Sequence, residues 1–211
     1  MARKFLSLLL LLSIAVHAKK PINLDIAKAE VIKYTESKQL DKEIEKVANK
    51  AWKKLNKIKV EENSAIVFDI DDTLISSYQS NKKYGFGYLL IIDPLWANRA
   101  DFAAIKPMQD FYNKTKKKGF KIFLISNRAF ELREPTEKNL NEEGYINYTQ
   151  LITRSLNAPK VSSAIFKEQE RQKLVDQGYK IIATIGDQES DISGKNSGLK
   201  VKIPNYMYQV K

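Results

Sequence analysis

Apolar residues at Leu40, Ile44, Val47, Ala51, Leu55 and Ile58 recur at steps of three and four, which predicts one amphipathic helix over 41–57. Its polar side mixes Glu and Lys freely, so it is expected to pack on the domain rather than on a membrane. The period then changes. Ala65-Ile66-Val67-Phe68 is an unbroken apolar run, as expected of a strand buried on both faces of a parallel sheet. Runs at 120–125, 151–153, 180–185 and 199–203 predict four more strands, the last stopped by Pro204. One helix between them opens at Pro107, turns Met108, Phe111 and Tyr112 inward and ends at Gly119. A second covers 131–143, where Pro135 marks a new start and Gly144 the close; a third runs over 168–177 to Gly178, with 164–167 leading in. Strands alternating with helices predict an α/β fold, a doubly wound, Rossmann-like parallel sheet with helices on both faces. The stretch 76–92 breaks the rhythm with Tyr78, Tyr84, Phe86 and Tyr88 around Gly85 and Gly87. It reads equally as a small cap at about 76–106, inserted after the first strand, or as a loop anchored by ordinary apolar contact.

The polar residues at the strand ends carry the chemistry. Ala65-Ile66-Val67-Phe68 runs straight into Asp69-Ile70-Asp71-Asp72-Thr73, and carboxylates this close repel unless a cation or strong donors compensate. A hard divalent ion such as Mg²⁺ suits oxygen ligands. If the crossovers take their usual hand, the same sheet edge receives Ser126-Asn127-Arg128, Lys167 on the approach to a helix, and Asp187 with Asp191. Alone, a Ser after a strand is a helix cap, a Lys is surface and Gly-Asp is a turn. Their order and spacing together predict a site.

Composition narrows that site. Residues 1–18 have a leader's pattern: Arg3 and Lys4, an apolar run of 12 over 5–16, and a small-residue cleavage pattern at Val16-His17-Ala18. The run is too short to span a bilayer, which takes about 20 residues, so no stable membrane anchor is expected after cleavage. Cleavage would leave 193 of the 211 residues and take the net charge from +11 to +9, since Arg3 and Lys4 depart. It would also remove His17, the single histidine of a chain without cysteine. Imidazole- and thiol-based nucleophile systems, thiolate or imidazole zinc sites and disulfides are then excluded, leaving carboxylates, Lys, Arg and hydroxyls. Export to the periplasm or medium is expected. The lysine surplus is scattered over helix faces, as at Lys114, Lys116, Lys117 and Lys118, so nucleic-acid binding is not expected.

The order of these motifs resembles the haloacid-dehalogenase-like superfamily, whose first motif is Asp-x-Asp-x-Thr. Phe-Asp-Ile-Asp-Asp-Thr-Leu at 68–74, Thr136-Glu137-Lys138-Asn139-Leu140 before Gly144-Tyr145, Phe166-Lys167 with Arg171, Gly178-Tyr179, and Ile185-Gly186-Asp187-Gln188-Glu189-Ser190-Asp191 look like the class B/vegetative-storage-type acid phosphatases. Ser126-Asn127-Arg128 is similar to the second motif of the class C acid phosphatases. The likeness covers about 66–208; Glu189 departs from it, standing where many relatives carry an aromatic. It implies an exported, Mg²⁺-dependent acid phosphatase for small-molecule phosphate monoesters, with 64–211 as the phosphatase domain and 19–63 as an N-terminal helical segment. It implies Asp69 as nucleophile and Asp71 as general acid and base. Mg²⁺ would be held by Asp69, the Asp71 carbonyl and Asp187, with Asp191 aligning the metal's waters. Ser126 and Lys167 would bind the phosphoryl group, Asn127 and Arg128 would complete the phosphate-binding set, and Thr73 and Arg128 would support the loop. Lys160 competes for the lysine role, but the Phe-Lys-x-x-x-Arg context favours Lys167. Phosphotransfer to an alcohol and a non-catalytic storage role stand as alternatives, and an oligomer is left open.

Overall fold

The chain's computed structural model describes residues 20–87, 92–155 and 161–210. The leader at 1–18, Tyr88 of the aromatic stretch and Lys160 lie outside these residues. Five parallel strands form one sheet in the order β3-β2-β1-β4-β5: β1 (Ser64–Phe68), β2 (Lys121–Ala129), β3 (Gln150–Arg154), β4 (Lys180–Gly186) and β5 (Leu199–Lys202). The doubly wound α/β architecture is the expected one. The chain winds outward from β1 to β3 and then returns to β4 on the other side of β1, so the switch point lies at the carboxyl end of β1 and β4.

All five residues of β1 are buried, which is why its sequence shows no alternation. Ile66 and Phe68 join the larger core beneath α2 (Gln39–Leu55) and α5 (Lys106–Lys117), where the Phe68 ring meets Phe111 and Tyr112 at centroid distances of 6.0 and 5.8 Å. Ala65 and Val67 face the other way, onto Phe123, Ile125, and Phe166 and Leu174 of α7 (Ser163–Asp176). Burying a side chain the size of Phe68 stabilises by about 2–3 kcal/mol, so the strand is held from both faces.

Three local departures have physical causes. A further helix, α1 (Leu24–Glu36), precedes the predicted one; it buries no residue, so no apolar stripe announces it, and Asn23 Oδ1 caps it by accepting from Asp25 N at 2.9 Å. The aromatic interval contains two short helices, α3 (Tyr78–Lys83) and α4 (Ile92–Arg99), where the sequence showed no helical period. And α7 begins at Ser163, capped by Ser162, so Lys167 stands inside a helix and not on its approach. Pro135 falls in the first turn of α6 (Arg133–Glu142), where its missing N–H costs nothing. Among the described residues no helix is long and apolar enough to cross a membrane.

Candidate active site

The ladder between β1 and β4 runs one residue past β1, with Asp69 N donating to Ile185 O at 2.9 Å, and this sets Asp69 beside Asp187. Beyond it the chain folds into a tight loop in which the amides of Thr73, Leu74 and Ile75 all reach Ile70 O, at 3.2, 2.8 and 3.1 Å. The turn requires φ of 54° at Asp72, a conformation that Asp tolerates better than most side chains.

Asp69, Asp187 and Asp191 each offer a carboxylate oxygen within 4.8 Å of the others, and all three are buried. Asp191 comes from α8 (Glu189–Ile192), a single turn that Arg171 ties down by donating to Asp191 O at 2.8 Å and to Ser193 O. Lys167, 2% exposed, donates to Asp69 Oδ1 and, at 2.6 Å, to Asp191 Oδ1. The Thr73 hydroxyl lies 3.0 Å from Asp69 Oδ2 and 3.2 Å from Asp187 Oδ1, and accepts from Asp187 N at 3.1 Å. Three of the four separated sequence motifs therefore meet through side chains of Asp69, Thr73, Lys167, Asp187 and Asp191.

Three carboxylates against one ammonium leave two formal negative charges among buried groups. Burial first, and then Asp191, push the Asp69 carboxyl well above the usual carboxylate range; Asp187 is raised for the same two reasons. Burial works against the Lys167 charge, but Asp69 and Asp191 outweigh it and hold its pKa above that of ordinary lysine. An all-oxygen set with this charge deficit fits a hard divalent cation. The resemblance implies Asp191 behind the ligands; both its oxygens accept from protein donors, Oδ1 from Lys167 and Oδ2 from Gln188 N at 2.8 Å, as both oxygens of Asp69 also face donors.

Asp71 stands apart from this cluster. Arg128 clamps its carboxylate through Nη2 at 2.6 Å and Nε at 3.0 Å, and spends Nη1 on Thr136 Oγ1 at 2.9 Å. Ser126 Oγ accepts from Arg128 N at 3.1 Å and lies 3.5 Å from Asp71 Oδ2, so Ser126, Arg128 and Asp71 form one unit. Asn127 is turned the other way: its Oδ1 accepts from Arg154 at 3.0 Å, and that guanidinium lies 4.5 Å over the Phe166 ring. Asp72 also points out of the cluster, accepting from Ser77 N at 2.8 Å and Tyr208 OH at 2.6 Å, and burial, then Asp187, raises its pKa to about 7.

Arg154, Asn205 and Tyr208 are contacts that sequence reasoning missed. Arg154 is brought in by the β2/β3 register, which pairs it with Ala129, and the other two by the segment after β5; no local motif marks them. A cavity of about 470 Å³ opens nearby, walled by Tyr78, Trp96, Phe102 and Tyr206. Of the acidic loop it reaches Asp72 and neither Asp69 nor Asp71, so it lies beside the carboxylates and not over them.

Gly186 lets α8 approach β4. A Cβ there would collide with the Asp191 side chain. Gly186→Ala is expected to cost about 1–3 kcal/mol of stability and to weaken divalent-cation binding by displacing Asp191; thermal melts with and without added Mg²⁺ measure both.

Comparison with known proteins places this arrangement among relatives. Residues 7–211 match the family model described as HAD superfamily, subfamily IIIB (acid phosphatase). The stem 28 kDa glycoprotein of Glycine max is 32% identical over 184 residues, covering 84% of this chain and 72% of its own length. Acid phosphatase 1 of Solanum lycopersicum is 30% identical over 151 residues, covering 68% of this chain and 58% of its own. The class C acid phosphatase from Bacillus anthracis superimposes with a TM-score of 0.71 at 25% identity, covering 88% of this chain and 85% of that one.

Proposed function

Because the chain belongs to the acid phosphatases of HAD subfamily IIIB, and so to the phosphomonoesterases, we propose that it hydrolyses small-molecule phosphate monoesters through a phosphoryl group carried on Asp69. The observation that carries this reading is the buried Asp69 carboxylate at the switch point, flanked by Lys167 and by two further carboxylates.

Attack by an Asp69 oxygen on phosphorus forms the P–O bond of an acyl phosphate while the ester P–O bond breaks, and Asp71 gives its proton to the departing alkoxide. Water then attacks phosphorus, Asp71 takes the water's proton, and the Asp69–phosphate bond breaks to release inorganic phosphate. The Arg128 clamp holds the Asp71 carboxyl in one place, outside the cluster. Lys167 offsets charge growing on the phosphoryl oxygens, Ser126 donates to them, and Thr73 keeps Asp69 and Asp187 in register. Mg²⁺ held by Asp69, Asp187 and the Asp71 carbonyl, with Asp191 behind, would supply charge neutralisation that one lysine does not complete. We read 64–211 as the catalytic domain, with 76–106 as its rim. The leader pattern at 1–18 and the glycoprotein among the relatives support export, to the periplasm or medium.

The test is turnover of a panel of nucleotides, sugar phosphates and aromatic phosphate esters with and without EDTA. Hydrolysis of several esters, lost on chelation and recovered with Mg²⁺, is expected; unchanged rates in EDTA would remove the metal from the reading. Chelation is also expected to lower Tm, because Mg²⁺ at 100 times its Kd stabilises by about 2.7 kcal/mol, roughly 5–10 °C for a domain of this size.

A further inference from the structure

The segment that follows β5 crosses the carboxyl end of β4. Ile203 N donates to Gly186 O at 3.0 Å, Pro204 ends the ladder, and the chain turns back over the 187–188 corner. Asn205 makes that turn with its own side chain, Oδ1 accepting from Met207 N at 2.8 Å, and this fixes the direction of the amide. Its Nδ2 is thereby aimed at Asp187 Oδ2, at 2.7 Å. The same oxygen accepts from Gln188 Nε2 at 2.5 Å, and Gln188 is held in turn by Val210 N, which donates to its Oε1 at 3.0 Å.

Two amide donors therefore occupy one oxygen of Asp187, and the other oxygen, Oδ1, is the one that faces Thr73. An amide suits this position for an electrostatic reason. It satisfies a lone pair and locks the carboxylate's rotation, yet brings no net charge, so the negative charge of Asp187 remains for a cation to answer. A lysine at the same distance would neutralise it.

We infer that Asn205 is a positioning residue for divalent-cation binding, acting through the Asp187 carboxylate, so that the segment 204–210 serves as a strap across the metal site. This rests on the metal reading above, and carries it to a residue outside the acidic motifs.

The experiment is Mg²⁺ titration of the full chain by calorimetry, with the metal-activation midpoint of phosphate-ester turnover measured alongside. Asn205→Ala is expected to weaken Mg²⁺ binding about 10–100-fold, and to raise the activation midpoint by the same factor, while kcat at saturating Mg²⁺ stays near that of the unaltered protein. A strap that merely unravelled would lower kcat at every Mg²⁺ concentration. Asn205→Ser keeps an acceptor for Met207 N but lacks the reach to Asp187, so it is expected to match the alanine variant, and it carries the comparison if that variant fails to fold. Unchanged Mg²⁺ affinity in Asn205→Ala, a loss of kcat that excess Mg²⁺ does not recover, or full affinity in Asn205→Ser would overturn the inference. Asp187→Asn separates the two levels: if it too binds Mg²⁺ normally, the metal reading itself falls, whereas a weakened Asp187→Asn beside an unaffected Asn205→Ala removes the strap's role alone.

Discussion

Replacing Asp69 with asparagine is expected to lower kcat for phosphate-ester hydrolysis by roughly 10⁴- to 10⁶-fold, the scale on which removal of a covalent nucleophile acts. The amide keeps the size of the carboxyl and leaves the core beneath it untouched, since Phe68 and Ile70 supply the packing on either side. In the absence of Mg²⁺ its effect on stability runs the other way. Asp69 pays for burial and for the proximity of Asp191 and Asp187, which is why its carboxyl is held far above the ordinary range. Asparagine removes one of those charges, and Lys167 retains Asp191 as a partner at 2.6 Å. The chelated variant is thus expected to melt no lower than the chelated parent. A folded Asp69→Asn protein with parental turnover would refute the nucleophile assignment, and a loss of turnover accompanied by unfolding would not count in its favour.

Lys167→Met is expected to give the largest loss of stability among single changes at the site. The methionine fills similar volume but withdraws the ammonium that, among the described residues, is ion-paired with Asp69 and Asp191, leaving both carboxylates buried without that counter-charge. Breaking a buried ion pair by removing one partner costs about 3–5 kcal/mol, which corresponds to a fall in Tm of roughly 6–20 °C for a domain of this size. Saturating Mg²⁺ is expected to recover part of that fall, since it restores positive charge to the same oxygens. Turnover at saturating Mg²⁺ is expected to remain lower by about 10²- to 10³-fold, the scale for loss of one charge-stabilising donor. Melts with and without Mg²⁺, together with kcat, separate the structural share from the catalytic one. A chelated Tm equal to the parent's would contradict the buried-charge account of Lys167.

What the sequence revealed and what it concealed divide along physical lines. The run 65–68 was legible as a doubly buried strand because every position is apolar, and the acids that follow were legible as a site because no core strand ends in three carboxylates within four residues without compensation. The helix carrying Ile44, Ala48, Ala51 and Leu55 announced itself through its period. By contrast α1 buries nothing, so its apolar residues Leu24 and Ile26 carry no periodic message. Lys167 was identified by its company with Phe166 and Arg171, yet its place inside α7 depends on the Ser162 cap one turn earlier. Arg154, Asn205 and Tyr208 reach the site through strand register and the path of the chain after β5, and those are tertiary facts with no local pattern. The clamp of Arg128 on Asp71 belongs to the same class: both residues sat in recognised motifs, but their mutual contact did not.

The central claim is that a carboxylate, and Asp69 in particular, carries the phosphoryl group. Acid quenching during turnover, borohydride reduction of any acyl phosphate and peptide mass spectrometry test it most directly. Conversion of Asp69 to homoserine, with Asp71, Asp187 and Asp191 unmodified, is the expected result. An unmodified Asp69 alongside a reduced carboxyl elsewhere in the chain would contradict it.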